Sequence, residues 1–167
     1  MDRVPLVNDR WGFATNCFVC EQRNAAGLRV PFFHEPDRGV VTAEFTLDDR
    51  FSGAPSWVHG GVSLAVLDEG MAWAAIAVHH RWAVTKSSTA DFDRPVIVGR
   101  SYRVEARIAE PGTDDPTTLD ASAEIISAES GRVCVRATAV LSVVTAVQAP
   151  ALGVGELSDD HRGFVRE

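Results

Sequence analysis

The chain has few cysteines and no excess of positive charge, and it carries none of the common nucleotide or hydrolase signatures. Three cysteines in 167 residues is an odd and small number, which excludes a disulfide framework. Reduced thiols and a cytoplasmic location are the natural expectation. The net charge of −7 argues against general nucleic-acid binding, because neutralising phosphates needs clustered Lys and Arg. It leaves room for a small anion held by a local basic patch. The opening Met1-Asp2-Arg3-Val4-Pro5 has no charged-then-apolar run, so no signal peptide is expected. No repeat period appears, and there is neither a Ser-His-Asp nucleophile elbow nor a Gly-rich phosphate loop. Cys17 and Cys20 have zinc-ligand spacing, but no second pair follows; Cys134 sits in a strand pattern and His34 is isolated. A tetrahedral site needs about four ligands, so neither a metal nor a cofactor is expected. His79 and His80 read as complements to a helix dipole, and Trp57, Trp73 and Trp82 as core or interface residues.

What is present suits one globular domain: 46% hydrophobic and 23% charged residues, with length for a single core. Residues 1–27 lack a period and read as an irregular arm; residues 148–167 read as a flexible tail. Between them, 28–147 form the folded unit. Residues 28–34 are mixed, and 40–47 alternate, with Val41, Ala43, Phe45 and Leu47 on one face. Residues 48–57 hold Gly53 and Pro55, a loop by composition. In 60–78 the polar side chains are Ser63, Asp68 and Glu69. Such a run nearly suffices to span a bilayer, but adjacent carboxylates at its centre and the lack of a second span oppose that reading. A helix apolar on nearly all sides must be buried on nearly all sides. Alternation in 102–108, 119–125 and 133–144, and an extended stretch at 83–93, supply the sheet to cover it. Two strands, one long helix and four further strands predict an α+β fold, an antiparallel sheet wrapped round the helix in a hotdog arrangement.

The chemistry concentrates in that helix. His59-Gly60-Gly61 opens it, and its first N–H groups have no intrahelical partner and carry the positive end of the dipole. They suit a carbonyl oxygen that becomes an oxyanion, although such a tripeptide serves equally as a tight helix entry. Asp68 and Glu69 lie mid-helix, where a carboxylate costs stability unless paired or functional. A structural acid bonded to a strand is one reading; a nucleophile or general base is the other. Asp68 stands roughly 12 Å along the axis from Gly60, whereas catalytic contacts need about 3 Å. If both features are catalytic, the acid works with the entry of a second, antiparallel helix, and the site lies between subunits.

The run from Ser56 to Glu69, with an acid nine residues after the histidine, resembles the helix motif of the PaaI-like hotdog thioesterases. Phe51-Ser52-Gly53-Ala54-Pro55 resembles the loop before it. Asn16-Cys17-Phe18-Val19-Cys20, with Asn24 and Gly27-Leu28, is similar to the start of one branch, and 83–96 with Gly99 resembles the following strand. The likeness covers roughly residues 16 to 144. It implies that Asp68 is nucleophile or general base, that the N–H of Gly60 or Gly61 from another subunit holds the thioester carbonyl, that His59 shapes the helix entry, and that Thr85 orients Asp68 or its water. Ser52 and Gly53 before the helix, and Lys86, Ser87 and Arg94 after Thr85, fall at substrate-contacting positions. Some relatives position water with an amide side chain where this sequence has Gly53, a role left to Ser52 or a backbone group. The implied activity is hydrolysis of acyl-coenzyme A by a homodimer or homotetramer. Alternatives are hydrolysis of a carrier-protein thioester, or acyl-thioester binding without catalysis. Six basic residues between Arg81 and Arg107 against three acids suit an anionic nucleotide, or merely a solvated strand face.

Overall fold

The computed structural model describes residues 3–11, 15–153 and 159–167. Seven strands form one antiparallel sheet: β1 (Val4–Leu6), β2 (Phe32–Glu35), β3 (Val40–Thr46), β6 (Ala83–Phe92), β7 (Ser101–Ile108), β8 (Thr118–Ser127) and β9 (Val133–Val143). A separate small ribbon pairs β4 (Ser52–Ala54) with β5 (Trp57–Val58). The main sheet runs in the order β1-β2-β3-β7-β8-β9-β6. Its concave face receives the one long helix, α1 (Gly60–His79). This is the hotdog arrangement that the hydrophobic pattern predicts.

The alternating strands bury the expected faces. Val41, Ala43 and Phe45 from β3, and Val135, Ala137, Ala139, Leu141 and Val143 from β9, all belong to the core. They enclose Val66, Leu67, Met71 and Ala74 of α1, each fully buried. Gly70 lies where helix and sheet come closest: a Cβ there would stand 3.3 Å from both Ala106 Cβ and Val104 Cγ1. Helix α1 starts at His59, whose imidazole caps it, and stops at His80, which adopts the left-handed conformation at φ 52°.

Three expectations need correction. The helix is not covered on nearly all sides. Val62, Leu64, Ala65, Asp68, Glu69 and Ala72 are only half-buried in the single chain, because the sheet covers one face. The arm of residues 1–27 joins the sheet: β1 pairs with β2, and Leu6, Val19 and Cys20 enter the core. The described part of the C-terminal segment also docks. Phe164 is buried, accepts the Trp82 N–H at 2.8 Å through its carbonyl, and packs edge-on against Trp11 and His80. Aromatic anchors hold both ends, and anchors of that kind leave no period in a sequence.

Candidate active site

Two separate constellations emerge on α1. The first surrounds its entry. The His59 N–H donates to Phe51 O at 2.8 Å and the Val58 N–H to Val96 O at 2.8 Å, which fixes the chain entering the helix. His59 Nδ1 then accepts the Gly61 N–H at 2.9 Å, which caps the helix entry. The carbonyl of His59 accepts from Val62 and Ser63. The Gly60 N–H is left without an acceptor among the described residues. Of the two glycines singled out by the sequence, Gly60 therefore offers the available donor, at the positive end of a helix of 20 residues.

Gly53 and Ser52 belong to this corner for structural reasons. A Cβ on Gly53 would lie 3.0 Å from His59 Cα, so glycine lets β4 pass close behind the histidine without pressing on it. Ser52 Oγ donates to Asp49 O at 2.7 Å, closing its own turn.

The second constellation lies two helical turns on. Thr85 Oγ1 donates to Asp68 Oδ1 at 2.6 Å, a charge-assisted bond that joins strand β6 to the acid. The family resemblance implies that Thr85 orients Asp68 or its water, and here the two side chains are in contact. The register of β6 against β9 shifts between Thr85 and Ser87, so Lys86, the chain's one lysine, is the extra residue of a bulge. Bulges re-aim side chains: Lys86 and Ser87 are both exposed, and Ser87, paired with Val140 and lining a surface pocket with Asp120 and Ser122, lies on the sheet face away from α1. Arg94 is elsewhere: its guanidinium donates to Val133 O at 2.8 Å. The basic stretch does not form one free patch either. Arg103 and Arg107 pair with Glu105, which also binds Arg38 at 2.5 Å, and Arg81 donates to Gly163 O at 2.6 Å.

Glu69 points a different way from its neighbour. Its Oε1 lies 3.5 Å from Cys17 Sγ, and burial, reinforced by the charge of Cys17, pushes its carboxyl up to about 7. The Cys17 thiol is pulled down to about 5, first by a hydrogen bond from the Cys20 side chain and then by the backbone N–H groups of Cys20 and Val19. Cys20 is pushed up correspondingly. No sequence period could link Cys17 to a residue 52 positions away.

Within one chain the Gly60 donor and the Asp68 carboxylate remain about two helical turns apart. The face of α1 that carries Gly61, Ala65, Asp68 and Ala72 is left partly uncovered in the single chain.

Comparison with known proteins agrees with this architecture. The sequence profile of the thioesterase superfamily matches residues 56–134, which span the helix motif and strands β6 to β8. Among solved structures, a thioesterase superfamily protein is 25% identical, with a TM-score of 0.64 over 71% of this chain and 56% of its own. The chain thus spans little more than half of that protein. The PaaI protein of the E. coli phenylacetic acid degradation operon is 19% identical, with a TM-score of 0.60 over 70% of this chain and 80% of its own. A Streptococcus mutans protein bound to acetyl CoA is 19% identical, with a TM-score of 0.58 over 64% of this chain and 82% of its own. No curated protein sequence matches the chain. The chain is thus similar to the thioesterase superfamily over residues 56–134. Its fold is that of the PaaI-type hotdog proteins.

Proposed function

We propose that the protein is an acyl-coenzyme A thioesterase with Asp68 as nucleophile or general base. The observation that carries this reading is the 2.6 Å bond from Thr85 to Asp68, a fixed carboxylate on an otherwise apolar helix face. In the proposed site the thioester carbonyl accepts the Gly60 N–H of a second copy. In one route Asp68 attacks that carbonyl and expels the coenzyme A thiolate, giving a mixed anhydride that water then hydrolyses to the free acid and Asp68. In the other it takes a proton from a water that attacks the carbonyl and returns it to the departing coenzyme A sulfur. His59 keeps the helix entry in shape through its bond to Gly61. Lys86, exposed on its bulge next to Thr85, is the basic residue nearest to that strand position. Acetyl CoA in a structurally similar protein supports the choice of a coenzyme A thioester. The half-exposed apolar face of α1 and the exposed edge strand β6 support a homodimer or a dimer of dimers. The free state of Cys17, Cys20 and Cys134 suits a reducing, cytoplasmic setting.

The test is release of free thiol across a panel of acyl-coenzyme A substrates. Wild type should hydrolyse at least one acyl class, and Asp68→Asn should lose about 10²- to 10⁴-fold in kcat while melting normally. Glu69→Gln should keep most of the turnover, since Glu69 faces Cys17 rather than Thr85. A folded Asp68→Asn variant with wild-type turnover rejects the assignment.

A further inference from the structure

The fold joins a pair of cysteines that the sequence leaves incomplete to a carboxylate far along the chain. Cys17 Sγ, Cys20 Sγ and a Glu69 oxygen all lie within 4.8 Å of one another. The sulfur-to-oxygen distance from Cys17 to Glu69 is 3.5 Å. Two ligands on one tetrahedral zinc, with Zn–S of about 2.3 Å and Zn–O of about 2.0 Å, stand about 3.5 Å apart. We propose that Cys17, Cys20 and Glu69 bind a zinc ion, with water from the adjoining cavity as fourth ligand.

The surroundings of the three groups fit that assignment. Cys17 Sγ accepts N–H groups from Val19 at 3.3 Å and Cys20 at 3.4 Å, so the turn folds its backbone donors around that sulfur. That turn is rigid. Asn24 donates to the carbonyls of Asn16 at 3.1 Å and Cys17 at 3.4 Å, and the Leu28 N–H reaches Phe18 O at 2.8 Å. A Cβ on Gly27 would lie 2.5 Å from Phe18 O, so glycine is required there. Asn8, itself buried, donates to Cys20 Sγ at 3.4 Å, the kind of outer contact that orients a metal ligand. Two sulfurs and a half-buried carboxyl thus share one spot. Grouped acids of this kind are costly without a counter-charge, and a divalent ion supplies it.

A cavity of about 300 Å³, lined by Asn8, Thr15, Cys17, Glu69, Ala72 and Trp73 among others, opens at the cluster. It can deliver the fourth ligand, and the buried Trp73 Nε1–H on its wall has no acceptor among the described residues. The ion would strap residues 15–20 to α1 one residue from Asp68. It holds structure and takes no part in the proposed hydrolysis, so it stands or falls apart from that reading.

The experiment is titration of chelator-stripped, reduced protein with Co²⁺ as an optical substitute, followed by displacement with Zn²⁺. One Co²⁺ per chain should bind with a thiolate-to-cobalt charge-transfer band. The band should vanish in Cys17→Ser and Cys20→Ser, whereas Glu69→Gln should keep it and bind at least about tenfold more weakly. Asp68→Asn should titrate like wild type, which separates this outcome from the fate of the hydrolase assignment. If a cysteine variant fails to fold, wild type still decides: Zn²⁺ should remove two thiols from reaction with a thiol reagent and raise Tm. Absence of the band with both thiols still reactive, a band that survives Cys17→Ser, or a Cys17–Cys20 disulfide in place of metal binding would overturn the proposal.

Discussion

Gly60 permits a substitution that removes one atom's function and little else. It is the first helical residue, a position where proline is favoured because its missing N–H has no helical partner. The preceding His59 already has φ −59° and ψ 134°, the extended conformation that a following proline imposes. A Cβ at Gly60 meets Phe92 at 3.4 Å, an ordinary contact. Gly60→Pro should therefore leave Tm unchanged or higher while lowering kcat about 10²- to 10³-fold, the usual cost of one oxyanion donor. Unchanged kcat would remove the Gly60 N–H from the site. At this scale the sequence is informative about Asp68, since an acid on an apolar helix demands a reason. The motif spacing selects Asp68 over Glu69, but the sequence does not show what Glu69 faces, because its partner is Cys17, in a segment without a period. The sequence also suggests a substrate-contacting role for Gly53, where the structure shows a glycine that makes room for His59.

The elements follow from periodicity where they are long. Strands β3 and β7 to β9 alternate over enough residues to be legible. Strands β1, β4 and β5 span at most three residues each and carry no such signal. Their places are set by backbone pairing to strands found elsewhere in the chain. Helix α1 is legible as an apolar run, but not which face the sheet leaves bare. Its seating depends on Gly70. There a Cβ already meets side chains of β7 at 3.3 Å, so Gly70→Val, with two more methyl groups, should cost about 1–3 kcal/mol through overpacking. Gly70→Ala should come out milder, because the gain in helix propensity of about 1 kcal/mol offsets the crowding. Denaturant midpoints of the two variants check the order; equal stability of Gly70→Val and wild type would show that helix and sheet are not in contact there.

At the scale of the whole molecule, a single chain leaves one face of α1 and the edge strand β6 open among the described residues. They also carry the catalytic assignment: Asp68 on the helix, Thr85 on the edge strand, and the Gly60 donor about 12 Å from the acid along the axis. Light scattering should accordingly find a dimer or tetramer. The separation also gives a direct measurement of the central claim, made by unfolding and refolding Asp68→Asn and Gly60→Pro chains together. In a mixed dimer with sites between subunits, one site receives both lesions and the other receives neither. An equal mixture should regain about one quarter of wild-type activity, because about half the dimers are mixed and each holds one intact site of two. If each chain instead built its own site, every site in the mixture would carry one lesion. Activity that stays at the level of the separate variants, with mixed dimers demonstrated by mass, would contradict an intersubunit active site.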